Sequence, residues 1–150
     1  MFKPYAILAK YFVRIMILSV LFSLGQFALA QDLLSNLASQ YKKSGANSPE
    51  RYLLTGKYAQ ALFFNDQVDE AFKLLNDNIA SAAKLKEAKY VAYLQTVLAI
   101  NFQIAENPAQ ANIQIAKARG NMARTLDNET KGYVMYGQGW IQSRQVKEAE

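Results

Sequence analysis

The strongest constraint in this sequence is a recurrence. Ala71 lies 40 positions before Ala111, and at the same offset Ala59 falls on Ala99, Leu62 on Phe102, Tyr58 on Leu98 and Leu75 on Ile115. A further step of 38 brings Tyr136, Gly137, Trp140 and Ala149 into the same places. Three times the chain reads large-small-x-x-large and then, after a gap of eight residues, an alanine. A small residue in one helix lets a second helix approach closely, and the large residue one turn on fills the space beside it. The alanine that opens the second helix is the matching low point on the partner surface. A chain patterned this way buries its apolar faces by stacking similar units.

The spacing within each unit is helical. Val68, Ala71, Phe72, Leu75 and Ile79 recur at threes and fours, as do Val91, Leu94, Leu98, Ala99 and Phe102, and then Ala111, Ile115 and Ala118. No stretch alternates in the way a half-buried strand requires. Pro49 and Pro108 follow Ser48 and Asn107, and a side-chain acceptor before proline marks a helix start. Gln110 completes a capping box with Asn107. Asp66 and Asp127 are further candidate starts, placing carboxylates at the positive end of a helix dipole. These signals predict helices at 32–44, 50–65, 68–85, 87–105, 108–124 and 129–143, with a seventh beginning near Val146. The expected class is all-α.

The pieces Tyr58-Ala59-Gln-Ala-Leu62 with Asp69-Glu70-Ala71, Leu98-Ala99-Ile-Asn-Phe102 with Ala109-Gln110-Ala111, and Tyr136-Gly137-Gln-Gly-Trp140 with Lys147-Glu148-Ala149 together resemble the tetratricopeptide repeat family. The resemblance covers about 50–150. It implies antiparallel helix hairpins stacked as a short right-handed solenoid, about two and a half repeats over 49–150, preceded by a helix and loop at 31–48. The family period is about 34, so offsets of 40 and 38 mark a divergent, long-helix member. Asn65-Asp66 and Glu106-Asn107 stand where the family usually places a glycine turn, and its closing proline is missing. The expected packing residues are Tyr58, Ala59, Leu62, Ala71, Leu75, Leu98, Ala99, Phe102, Ala111, Ile115, Tyr136, Gly137, Trp140 and Ala149. The chain ends five residues into the expected seventh helix, which leaves Trp140 and Tyr136 uncovered. The expectation is therefore the N-terminal piece of a longer protein.

Residues 1–30 read as an address. Lys3, Lys10 and Arg14 precede the apolar run Ile15–Ala30, which closes on Ala28-Leu29-Ala30 before Gln31, with no acidic residue among them. Charged start, apolar middle and small-x-small end form the secretory signature, and the run is shorter than the roughly 20 residues of a membrane span. Cleavage between Ala30 and Gln31 is expected. An uncleaved anchor is the alternative, with Tyr11-Phe-Val lengthening the span while Arg14 snorkels. Either way the chain is exported, to the periplasm or another extracytoplasmic space. Membrane contact is expected only through this leader or through a segment beyond residue 150.

The whole chain carries 17 Lys and Arg against 12 Asp and Glu. Without the three cations of 1–30 the remainder is nearly balanced at +2. Lys42-Lys43 and Lys84-Leu-Lys86 are too short to suggest nucleic acid. There is no cysteine and no histidine, which removes imidazole base catalysis, thiolate nucleophiles, zinc fingers and disulfides. Asp66, Asp69 and Glu70 form a local acidic cluster, best read as capping and dipole complementation. Gly132, Gly137 and Gly139 lack the strand and the Gly-Lys-Ser/Thr of a phosphate loop. Tyr133, Tyr136 and Trp140 are an aromatic ligand box or, more simply, core packing. No catalytic residue, cofactor or metal is expected.

Recognition remains. In a helical solenoid the first helix of each hairpin lines a concave groove. The residues assigned to that side are Gln60, Phe63, Phe64, Tyr93, Thr96, Ile100, Gln103, Lys131, Gln138 and Gln142. Amides and aromatics with little charge suit an extended peptide or a helix. The combination of an export signal with long-period repeats resembles the extracytoplasmic regions of bacterial membrane signalling proteins. That resemblance implies a sensory or docking module, followed in a longer chain by a transmembrane helix and an output domain of diguanylate cyclase or histidine kinase type. The alternative is a free periplasmic scaffold for assembling envelope proteins.

Overall fold

The computed structural model describes residues 31–149, and side chains from 31 to 147. Ala28, Ala30 and the rest of the leader lie outside the described residues, as does the side chain of Ala149, while Gln31 is helical. Leu37–Glu150 belong to one compact unit. All regular structure among the described residues is α-helical: α1 (31–43), α2 (Pro49–Phe64), α3 (Val68–Lys84), α4 (Ala88–Ile104), α5 (Pro108–Met122) and α6 (Asn128–Ala149). None of these helices is long and apolar enough to cross a membrane.

The helix starts follow local chemistry. Ser48 caps α2, its hydroxyl accepting from the Arg51 amide at 3.1 Å with Pro49 at the first helical position. Asn107 caps α5 in the same way through the Gln110 amide at 3.1 Å. Asp127 caps α6, accepting from the Thr130 amide at 2.7 Å. Asp66 is not a start. It closes α2 in the left-handed region, at φ 60°, and Gln67 precedes α3 without a side-chain cap. Asp tolerates that backbone better than most residues.

The three joints after α2, α3 and α4 share one geometry. Asp66, Lys86 and Glu106 have φ of 60°, 61° and 56°. In each joint the next amide reaches back five residues, Gln67 to Leu62, Glu87 to Ala82 and Asn107 to Phe102, at 2.9–3.0 Å. The amide of the left-handed residue itself reaches back three, to Phe63, Ala83 and Gln103, at 3.1–3.2 Å. This is the Schellman closure, which satisfies the last carbonyls of a helix. It normally takes glycine; here Asp, Lys and Glu accept the strain. The α5–α6 joint differs: Ala123 stays right-handed and the connection runs through 123–127.

Packing unites neighbours along the chain. α2 packs on α3 and α4, α3 also on α4, and both α4 and α5 pack on each other and on α6. Small residues sit at the crossings: Ala59, Ala71, Ala82, Ala92, Ala99, Ala111 and Ala118 have no exposed surface. Ala92, Ala99, Ala111, Ile115, Ala118, Val134 and Ile141 form a cluster joining α4, α5 and α6, with Phe102, Met122 and Trp140 against it. Leu62, Leu75, Leu94 and Leu98 are also buried, each stabilising by roughly 1.5–3 kcal/mol relative to exposure. Phe72 on α3 stacks on Phe102 of α4 with centroids 4.6 Å apart. Asn101 is an exception in this core. It is wholly buried, and neither its Nδ2 nor its Oδ1 has a hydrogen-bond partner among the described residues.

Two further expectations are corrected. The break before Val146 does not occur, because α6 runs without interruption from Asn128 to Ala149. Ser143-Arg-Gln-Val146 holds no proline, glycine or turn-forming pair, and Arg and Gln favour continuation. Tyr136, expected in the packing stripe, is 64% exposed. Among the described residues the helices that pack on α6 are α4 and α5, so its buried stripe runs through Thr130, Val134, Gly137 and Ile141 and leaves Tyr136 on the far side.

Candidate functional site

The first two turns of α2, α4 and α6 meet around a cleft of about 160 Å³, lined by Leu53, Lys89, Tyr90, Tyr93, Glu129, Thr130 and Tyr133. The lining is itself periodic. Leu53, Tyr93 and Tyr133 stand 40 residues apart, and so do Lys89 and Glu129, and Tyr90 and Thr130. Each helix therefore presents equivalent positions to one groove.

Tyr93 reaches the groove because α2 has a glycine beneath it. A Cβ at Gly56 would stand 2.7 Å from Cε1 and Cζ of Tyr93, a contact no side chain tolerates. The bare backbone lets the ring lie across α2, with its hydroxyl 3.5 Å from the Leu53 carbonyl, a long and weak hydrogen bond. The Tyr133 ring leans on Tyr93, centroids 5.2 Å apart and planes at 40°. Burial pushes the Tyr93 phenol above its usual range. Burial first, then the neighbouring Tyr93 and Tyr136, push Tyr133 higher still. Both hydroxyls stay protonated at neutral pH and are hydrogen-bond donors.

One wall is charged. Lys89 Nζ donates to Asp127 Oδ1 at 2.9 Å. Asp127 also caps α6, so the Thr130 hydrogen bonds and then Lys89 pull its carboxyl down to about 2. The same Asp127 hydrogen bond, with smaller help from the charges of Asp127 and Glu129, raises Lys89. The Lys89 ammonium stands 5.6 Å from the Tyr90 ring centre, and Tyr90 stacks on Tyr52 at 5.1 Å.

Of the ten residues assigned to a concave face, Tyr93 alone lines this cleft. Phe63, Thr96, Ile100 and Gln103 are buried, which corrects their assignment to an open surface. Thr96 packs its methyl against Gly137, where a Cβ would lie 2.5 Å away, and its hydroxyl donates to the Ala92 carbonyl at 2.9 Å. Gln103 accepts from Gln145 Nε2 at 2.8 Å. Phe63 meets Phe64 and Phe72. Phe64 and Gln142 are exposed, and Gln60, Lys131 and Gln138 half-buried. Gln138 and Gln142 line a separate cleft of about 170 Å³ between α5 and α6, with Asn112, Ile115, Ala116, Arg119 and Ile141.

The aromatic trio at the end of the chain is divided. Tyr133 enters the cleft, Tyr136 faces outward, and Trp140 packs on the core under the Arg144 guanidinium, 5.3 Å from its ring. Asp66, Asp69 and Glu70 are exposed at the α2–α3 joint, and among the described residues no three acidic side chains gather as a metal site would. Sequence reasoning missed Leu53, Lys89, Tyr90, Glu129 and Thr130. The signal was present in the uniform 40-residue spacing, which a 38-residue step fitted to Trp140 obscures.

Comparisons with protein-family models, with curated proteins and with solved structures find no match to this chain.

Proposed function

We propose that this chain is an exported helical-hairpin repeat module that binds a peptide or protein segment, without catalytic chemistry of its own. The hairpins α2–α3 and α4–α5, followed by α6, stack as a right-handed solenoid of tetratricopeptide type. In support, among the described residues each helix from α2 to α6 packs on helices one or two places away in the chain, the neighbour-to-neighbour pattern of a linear array. The observation that carries the binding reading is the cleft shared by α2, α4 and α6. It places phenol donors and apolar rings side by side at equivalent positions, as grooves that take extended ligands do. The leader directs the module out of the cytoplasm, where it is the sensory or docking part of a larger membrane signalling protein.

Panning a random peptide display library on the purified protein tests this. A shared motif is expected among the selected peptides, with affinity falling at least tenfold in Tyr93→Ala and in Tyr133→Ala. No enrichment, or equal affinity in both variants, refutes the reading. Intact mass of exported protein is expected to begin at Gln31, and a mature Met1 refutes cleavage.

A further inference from the structure

The two charged residues of the tyrosine cleft are not paired with each other at ion-pair distance. Lys89 is the one cation in its lining, and its ammonium is held at 2.9 Å by Asp127. Glu129 also lines the cleft, exposed in the first turn of α6. It makes no ion pair within 4.0 Å among the described residues. The lining thus holds one charge of each sign, but the ammonium is engaged by Asp127 from outside the lining, and the Glu129 carboxylate is left without a close cation. Inside the mouth lie the rings of Tyr93 and Tyr133 and the side chain of Leu53. The negative face of an aromatic ring attracts a cation, and does so more strongly where water is displaced. Lys89 over Tyr90 is an instance inside the same cleft.

Among cations, the guanidinium fits this combination best. It is planar, stacks on aromatic faces, is weakly hydrated, and matches a carboxylate with two parallel donors. A lysine ammonium would give up more hydration for a single point contact. A neutral aromatic side chain would fill the space and leave the Glu129 charge unanswered. The cleft, about 160 Å³, is of the order of one long side chain.

Resting on the peptide-binding reading above, we propose that the cleft is an arginine pocket. The guanidinium of a partner segment stacks against the Tyr93–Tyr133 pair and its fork engages the Glu129 carboxylate. Asp127 keeps Lys89 neutralised, so that the pocket does not repel its ligand.

Acetyl-arginine amide, acetyl-citrulline amide and acetyl-phenylalanine amide are titrated into the purified protein, with the ring signals of Tyr93 and Tyr133 followed by NMR. Citrulline keeps the shape of arginine and removes its charge. The arginine probe is expected to give saturable shifts, with citrulline about tenfold weaker, the ratio that about 1.4 kcal/mol represents. Glu129→Gln is expected to weaken the arginine probe about five- to tenfold. Glu70→Gln, which removes one of the two first-turn acids of α3, leaves it unchanged. Equal binding of citrulline, tighter binding of the phenylalanine probe, no saturable shift, or no effect of Glu129→Gln overturns the proposal. Display-selected peptides that depend on Tyr93 and Tyr133 yet lack arginine overturn it while leaving the peptide-binding reading intact. Failure of all selection removes that reading itself.

Discussion

Replacing Asn101 with leucine is expected to stabilise the protein. Asn101 is wholly buried in α4, and both polar atoms of its side chain lack a hydrogen-bond partner among the described residues. Each buried donor or acceptor left unmade costs about 1–3 kcal/mol. Leucine also branches at Cγ and places two methyl groups where the amide oxygen and nitrogen lie. Its helix preference adds about 0.5 kcal/mol over asparagine. Its tetrahedral Cγ is bulkier than a planar amide, and overpacking takes back about 1–3 kcal/mol. The balance is a gain of about 2 kcal/mol, which for a domain of this size raises Tm by roughly 8 °C. Thermal and urea unfolding followed by far-UV circular dichroism measure it. Asn101→Asp is the control, and it lowers Tm by placing a carboxyl in the same apolar site. A Tm for Asn101→Leu several degrees below the parent would refute the reasoning, because it would mean that the buried amide is engaged and stabilising.

The glycines of α6 separate cleanly in the same assay. Gly137→Ala drives a Cβ to 2.5 Å from the Thr96 methyl and is expected to lose about 1–3 kcal/mol, with Thr96→Ser restoring part of it. Gly132→Ala and Gly139→Ala meet nothing within 4 Å and are expected to gain about 0.5–1 kcal/mol each; a loss in either would refute the α6 register. Lys86→Gly and Glu106→Gly relieve left-handed backbone and are expected to raise stability by up to about 1 kcal/mol each, as differential scanning calorimetry reads. Asp127 has its carboxyl lowered to about 2 by the Thr130 cap and Lys89. Its contribution is complete above the unfolded carboxylate pKa of about 4 and is lost as pH falls from there through about 2. The Tm difference between the parent and Asp127→Ala is therefore expected to shrink over that acid range, and a constant difference counts against the assignment.

Much of the fold was legible because its signals are local. Ser48-Pro49 and Asn107-Pro108 carry their caps in adjacent residues, and the alanines at 59, 71, 99 and 111 repeat at one spacing. The inner residues Leu62, Leu75, Leu98 and Ile115 followed from the same pattern and are buried. The groove was not legible in the same way. α4 is enclosed by α2, α3, α5 and α6, so polar Thr96, Asn101 and Gln103 are buried beside apolar neighbours and a face cannot be read from polarity. Asp66 looked like a helix start because its side chain suits a cap, whereas backbone hydrogen bonds decide that joint. The cleft itself depends on Gly56, whose missing side chain matters only once Tyr93 is known to lie over it.

The left-handed joints also act as a ruler. Asp66, Lys86 and Glu106 are spaced 20 residues apart, with 17-residue helices between them. A residue inserted into α3 or α4 turns everything beyond it by about 100° around the helix axis. That rotation takes Tyr93 or Tyr133 out of line with Leu53 and dismantles the shared cleft. The 123–127 connection has no left-handed residue to preserve. Changes of length are therefore absorbed there, while the joints at 65–67, 85–87 and 105–107 accept new side chains but not new residues.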